Sequence, residues 1–323
     1  MSLARPHQHW GDGSPTIGAV LPLKIFGRHY LWNIARCDIL LSSLSAYAQP
    51  DLLTRILVVV PGREYNQTAR ALSHWSNLPL QIISEDDLLP IFHQHKRVSG
   101  WYRQQLIKLL AATLLDTTYC LTLDPDVILC KPVRREHLLV DGKALLEPEA
   151  RDVHRNWWSG SARVLQTDVR WDQPGMSVTP ALLSRAICEL LFKRIEGLYQ
   201  DHWASALLNQ RHHGWTEYTL YHLAAEHHDL LERYHSIPTA GGHRLLCASN
   251  VWAKGEPWDA ARCFGDEDSG FFTVVQSHTG MTPVEIVKRL PSSLQTGREF
   301  AVSPWIRMRS LMEDVMRKTV GWV

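Results

Sequence analysis

Asp124 and Asp126, separated by Pro125, follow the apolar run Tyr119-Cys-Leu-Thr-Leu and precede a second one, Val127-Ile-Leu. Two carboxylates one residue apart at the end of a buried strand can grip a hard divalent cation through oxygen, and such a cation can bridge the phosphates of a ligand. Proline disfavours helical geometry in the residue before it. The pair is therefore expected on a locally extended chain, with both side chains on the same side. Charged and polar groups that could serve such a site precede it. Arg103, Gln105 and Lys108 lie on an amphipathic stretch just upstream, and Asp86 and Asp87 close an earlier apolar run.

These residues need a scaffold that delivers strand ends to one edge. The first half of the chain supplies one by alternating strand and helix patterns. Thr16 to Leu23, Arg55 to Val60, Leu78 to Ile83 and Tyr119 to Leu123 read as strands, the second being a β-branched run closed by Pro61-Gly62. Tyr30 to Ala48, with Trp32, Ile39, Leu40 and Leu44 among its apolar positions, and Trp101 to Leu115 read as helices. Such alternation predicts an α/β fold, a mostly parallel, Rossmann-like sheet flanked by helices. Ligands of that fold bind outside the carboxyl ends of the strands.

The second half is less regular. Gly160 to Gly175 is expected as a loop or short hairpin, and Thr179 to Leu198 and Thr216 to His228 as helices. Ser236 to Trp258 is mixed, and the acidic Gly265 to Gly270 forms a turn before a strand over Phe271 to Gln276. No repeat or long linker divides the chain, so a single domain is expected. Its parts are an N-terminal tail (1–14), a nucleotide-binding half (15–135), an acceptor half (136–300) and a C-terminal amphipathic helix (301–323).

Bulk properties set limits. The 323 residues carry a formal net charge of +1, with 34 basic against 33 acidic side chains, so no field for a polyanion is built in and no nucleic-acid partner is expected. The six cysteines form no CxxC pair, which fits a reducing compartment better than a disulfide scaffold. Despite 17 histidines there is no HExxH and no Cys/His ligand spacing, which argues against structural zinc. The N-terminus lacks the apolar core of a signal peptide, and no apolar run approaches the ~20 residues that span a bilayer. The expected location is cytoplasmic. Trp305, Met308, Met312, Val315 and Met316 share one face of the C-terminal stretch, which packs on its own domain or touches a membrane surface peripherally.

The block Gly100-Trp-Tyr-Arg-Gln-Gln-Leu-Ile-Lys108-Leu, the strand after it, Leu-Asp124-Pro-Asp126, and then Lys131-Pro132 resemble the core of GT-A glycosyltransferases. The pattern is most similar to bacterial DxD proteins allied to the glycogenin-like and lipopolysaccharide-galactosyltransferase families, and it spans roughly residues 15 to 290. Gly175-Met-Ser-Val-Thr-Pro180, Thr216-Glu-Tyr-Thr-Leu-Tyr221 and Val275-Gln-Ser-His278 fall where such proteins carry acceptor and late metal-ligand segments. The resemblance implies transfer of a sugar from a nucleoside-diphosphate sugar to a glycan-type acceptor (a glycan, a lipid-linked sugar or a protein), dependent on Mn²⁺ or Mg²⁺.

It further implies Asp126 as the direct metal ligand, Asp124 through water or on the ribose, and His278 as the late ligand. The family's His-x-x-Gly-x-x-Lys signature is not reproduced, and Lys288 lies too far along to stand for its lysine. Arg103 and Lys108 would face the diphosphate, Gln105 the sugar or ribose, and Asp86 and Asp87 the base or ribose. Pro22 to Arg28 would form the other nucleotide-facing loop. Trp157, Trp158 and Trp171 are expected in loops where rings stack on an acceptor sugar. An inverting enzyme would also need a carboxylate base for the acceptor hydroxyl, for which Glu217 is the candidate, with Glu147 and Asp172 behind it; retention or inversion stays open. Two other readings remain open: a non-catalytic sugar or nucleotide binder on the same fold, and a haloacid-dehalogenase-type phosphatase, which carries Asp-x-Asp after the first strand of its core.

Overall fold

The computed structural model describes residues 14–26, 32–239 and 241–295. The expected C-terminal helix (301–323) lies outside them, as does part of the Pro22 to Arg28 loop. Five strands form the central sheet: β1 (Ile17–Pro22), β2 (Ile56–Val60), β3 (Leu80–Ser84), β4 (Tyr119–Thr122) and, beyond the short strands of the intervening chain, an edge strand at Ala181–Ser184. Their order runs from the Ala181–Ser184 edge through β4, β1 and β2 to β3. All pairings are parallel except that of Ala181–Ser184, which runs antiparallel to β4. This is the mixed α/β domain with a mostly parallel central sheet that the alternating pattern predicts.

β1, β2 and β4 are buried along their whole length, as strands of a sheet covered on both faces must be, which explains why their sequences run apolar without alternation. Gly18 in β1 is required by close packing. A Cβ there would come within 3.0 Å of the Leu115 side chain and 3.2 Å of the Thr117 hydroxyl. Helix α1 (Asn33–Tyr47) packs on β5 (Val127–Leu129), and helix α2 (Gly100–Leu114) packs on β1 and β4.

β5 belongs to a second sheet. There Gly270–Val274 lies between β5, to which it is antiparallel, and Arg244–Leu246, to which it is parallel. Asp124 and Asp126 thus lie where the chain leaves the central sheet and enters the second. Pro125 sits in a tight turn instead of the expected extended segment, with the Val127 N–H donating to the Asp124 carbonyl at 3.1 Å. Proline's fixed φ suits the second position of such a turn, which bends the chain between the two carboxylates where an extended segment was expected.

Two expectations in the second half fail in part. Residues 160–175 are only partly a loop: helix α3 (Arg155–Leu165) runs through Gly160, residues 166–173 form the expected loop, and Pro174–Gly175 is a short strand. Gly160 is there for contact rather than as a breaker, since a Cβ at that position would lie 2.1 Å from the His213 carbonyl oxygen. The predicted helix from Thr179 begins later, as α4 (Arg185–Tyr199), because Ala181–Ser184 is drawn into the central sheet by pairing with β4. Helix α5 (Glu217–His227) packs on α2, α3 and α4, completing the layer behind the site. Among the described residues no helix is long and apolar enough to cross a membrane.

Candidate active site

A cavity of about 690 Å³ opens at the carboxyl end of β4. Its main walls are α2, the Asp124–Asp126 turn, residues 149–157, residues 177–179, the start of α5 and residues 276–278, with Asn33 and Trp252 also reaching it. On α2, Trp101, Gln105 and Lys108 fall one helical turn apart, so their side chains share a face. The Thr216 side chain caps α5 by accepting from the Thr219 N–H at 3.3 Å, and this sets Glu217 in the first turn, where the helix dipole favours a carboxylate.

Lys108 is the hub. Its Nζ lies 3.0 Å from both carboxylate oxygens of Asp124, 3.2 Å from Glu217 Oε1 and 3.2 Å from the Tyr218 hydroxyl. Burial works against its charge, but Asp124, Tyr218 and Glu217 outweigh that and hold its pKa well above the ordinary lysine value. Tyr218 also bonds the Thr122 hydroxyl at 2.9 Å, which ties α5 to β4. Burial raises the pKa of Glu217; Lys108 opposes the rise and the nearby Asp124 adds to it. One ammonium thus serves two carboxylates.

Asp126 is held from the other side. Its Oδ2 accepts from the Ser277 N–H at 3.0 Å, and its carbonyl accepts from the Val275 N–H at 3.0 Å, so the turn is fastened to the segment carrying His278. Burial, then repulsion from Asp124, pushes its carboxyl up to about 6 against the opposing charge of Arg36. Arg36 is buried on α1 and donates to the Val275 and Met281 carbonyls at 2.5 Å each. It therefore brackets the 276–280 segment. The sequence reading passed it over, although a charge in four-residue register with Leu40 and Leu44 on a buried helical face is a readable signal.

Asp124, Asp126 and exposed His278 line the same cavity, but among the described residues they do not form a group whose ligand atoms all lie within 4.8 Å of one another. Their chemistry fits a hard divalent cation. Two neighbouring carboxylates raise the pKa of one of them, a strain that a cation relieves, and His278 is open to the same space. Gln105 accepts from the Glu217 N–H at 2.9 Å, while its buried Nε2 and the buried Thr179 hydroxyl, on residues of the cavity wall, have no hydrogen-bond partner among the described residues.

A second cavity of about 420 Å³ shares Trp101 and Gln104 with the first. It lies beyond the carboxyl ends of β1, β2 and β3 and is lined by Lys24, Arg63, Lys96, Arg97 and Arg103 together with Glu85 and Asp86. Arg103 pairs with Glu85 at 2.7 Å, and Asp86 accepts from the Gly62 N–H at 3.3 Å. Asp87 is exposed and lines neither cavity.

The expected aromatic loops are placed differently. Trp158 is fully buried in α3 under the guanidinium of Arg151 and does not reach the cavity, and Trp171 instead stacks with Arg155. Trp157 does line the cavity, stacked on His154 with centroids 4.0 Å apart and 6.3 Å from the ring of Trp101. Of the reserve carboxylates, Glu147 is buried against Arg244 and the Leu246 N–H, and Asp172 is exposed; neither lines the cavity. Glu149 does, paired with His154 at 3.7 Å and hydrogen-bonded by Ser177, and no sequence motif singled it out.

A mixed α/β domain with a carboxylate-and-lysine cavity at the sheet's carboxyl edge is thus the class that fold and site define. The chain belongs to a family of unknown function, DUF6492, whose model matches residues 14–299. No curated protein matches its sequence. Among solved structures it is similar to mouse xyloside xylosyltransferase 1 in its apo form, with 14% identity and a TM-score of 0.47 over 82% of this chain and 99% of that one. It is also similar to the galactosyltransferase LgtC in complex with donor and acceptor sugar analogues, with 11% identity and a TM-score of 0.39 over 80% of this chain and 86% of that one.

Proposed function

We propose that the protein is a GT-A glycosyltransferase that moves a sugar from a nucleoside-diphosphate sugar to a glycan-type acceptor, with Mn²⁺ or Mg²⁺ held at Asp124 and Asp126 and completed by His278. The observation that carries this reading is the convergence of Asp124, Asp126, His278, Lys108 and Glu217 on one cavity that adjoins a basic pocket at the carboxyl ends of β1 to β3. The nucleotide occupies the basic pocket, with Arg103 toward the diphosphate and Asp86 toward the ribose or base. The sugar lies in the larger cavity, where Gln105 Nε2 and the Thr179 hydroxyl offer it hydrogen bonds and Trp101 and Trp157 a stacking surface.

A cation held by Asp124, Asp126 and His278 would supply Lewis-acid neutralisation of the departing diphosphate. Lys108 holds Asp124 in place and balances its charge. Glu217, whose pKa is raised by burial, accepts the proton of the acceptor hydroxyl at a carboxylate oxygen. The haloacid-dehalogenase arrangement is disfavoured, because the carboxylate pair follows the fourth strand of the chain and not the first.

Thermal melts with a panel of nucleoside diphosphates, with and without Mn²⁺, test the reading. A ligand at a hundredfold excess over its Kd stabilises the fold by about 2.7 kcal/mol. A metal-dependent rise in Tm with one nucleotide, absent in Asp126→Ala and accompanied by turnover of the matching sugar nucleotide, is the expected result. Binding without turnover makes the protein a binder on this fold, and no rise with any nucleotide overturns the site.

A further inference from the structure

Three of the six cysteines meet in space. Cys130 follows β5, Cys247 follows the Arg244–Leu246 strand, and Cys263 lies in the short helix Ala260–Phe264. The three thiols act electrostatically on one another, and each donates to a backbone carbonyl: Cys130 to Ile128 at 3.6 Å, Cys247 to Cys263 at 3.8 Å and Cys263 to Ser249 at 3.2 Å. The ligand atoms of Cys247, Cys263 and Asp268 all lie within 4.8 Å of one another, and all four residues are buried. Among the described residues this is the only such convergence of three His, Cys, Asp or Glu groups.

Thiols alone would pass as small apolar side chains, and this pocket is otherwise built from Ile39, Ile128, Trp258 and similar residues. A carboxylate among them is out of place in a purely apolar cluster. Both its oxygens are oriented by backbone, Oδ1 by the Gly270 N–H and Oδ2 by the Ala248 N–H, each at 2.8 Å. Outer hydrogen bonds of this kind orient metal-ligating carboxylates. A tetrahedral zinc–thiolate site has bonds of about 2.3 Å and sulfurs about 3.8 Å apart, inside the 4.8 Å within which the Cys247, Cys263 and Asp268 ligand atoms already lie; Cys130 is the neighbouring thiol that would turn in to complete the set.

We propose that Cys130, Cys247, Cys263 and Asp268 form a closed tetrahedral site for a thiophilic divalent cation, with zinc as the ion this donor set favours. The site is separate from the cation at Asp124 and Asp126 and does not rest on the transferase reading. Binding releases the three thiol protons to solvent and leaves three thiolates and one carboxylate around the ion. Lys131, whose Nζ donates to the Gly265 and Asp268 carbonyls, places a positive charge at its rim. No local spacing announces the site, because its ligands come from three separate segments.

The test uses the full chain purified under reducing conditions without chelator. Elemental analysis is expected to find about one zinc per chain. Co²⁺ added to the chelator-stripped, folded protein is expected to give a thiolate-to-cobalt charge-transfer band. Both signals should vanish in Cys263→Ser and survive in Asp126→Ala. If Cys263→Ser does not fold, the cobalt titration of the unaltered chain decides alone. Absence of the band in folded protein overturns the proposal. So does a disulfide among the three cysteines in non-reducing peptide mapping, or a band that survives Cys263→Ser but disappears in Asp126→Ala.

Discussion

Helix α5 carries a carboxylate near each end, Glu217 buried and Glu226 half-buried, and the two are treated in opposite ways. Near its C-terminus, Glu226 meets Arg151 through two hydrogen bonds, of 3.1 and 2.5 Å, with Arg170 at 3.2 Å and His222 at 3.7 Å. Arg151 itself donates to the Pro174 carbonyl and lies over the ring of Trp158. Burial opposes the charge of Glu226, but His222 and Arg151 outweigh it and hold its carboxyl at about 2. At the N-terminus, Glu217 shares one lysine with Asp124, and its pKa is raised. The first cluster satisfies its charges and fastens α3 and the Pro174 strand to α5. The second leaves carboxylates in excess of cations beside an open cavity. Buried charge serves structure where it is fully matched, and chemistry where a further cation or proton is needed to match it.

The contrast is broken most severely by Arg151→Met. Removing it leaves Glu226 only the exposed Arg170 as a guanidinium partner and takes Arg151's donors from the Pro174 carbonyl, and the fold should lose about 3 kcal/mol by urea denaturation, with turnover per folded molecule unchanged. Glu217→Gln should do the reverse. Transfer activity should fall about 100-fold in a steady-state assay while Tm is held or slightly raised, since the amide keeps the shape without the buried charge. An equal loss of stability in both variants would erase the distinction between the two ends.

A pH series sharpens it. The depressed pKa of Glu226 stabilises the fold above the unfolded value near 4.5, and this is lost as pH falls toward about 2. Glu226→Gln should therefore lie about 1–3 kcal/mol below the parent at pH 7 and converge with it in acid. Asp126 has the opposite sign. Its carboxyl stands at about 6 against 3.8 in the unfolded chain, so its ionisation costs stability as pH rises through that window. In metal-free buffer, Asp126→Asn should melt about 2 °C above the parent at pH 7 and match it below pH ~4, the smallest of these effects.

The first half of the fold was legible because its signals are local. β2 is an apolar run, β-branched at every position but Leu57, and β4 leads straight into the carboxylate pair. The second half is set by partners that sequence does not display. Ala181–Ser184 becomes a strand because β4 offers it an edge, and Gly160 sits within a helix because the 213–214 backbone presses against it. The site shows the same division. Lys108, Asp124 and Asp126 stood out by spacing, and the late segment with His278 by its place after a strand. Arg36 and Glu149 reach the site only through tertiary contact, while Trp158, an aromatic suited to a sugar, is spent on Arg151. The tight turn at Pro125 differs from the extended chain expected there, yet Asp124 still acts electrostatically on Asp126.

That turn has a mechanical consequence. Asp124 ends a strand path in one sheet and Asp126 begins one in another, so the two carboxylates belong to two separate slabs joined by a single proline. Any ion that binds both becomes a rivet between the slabs. Its arrival should be felt far from the cavity, as slower amide exchange along Gly270–Val274, whose Val274 pairs with Val127 next to Asp126. Occupancy of the site would then be recorded in the stiffness of the whole seam.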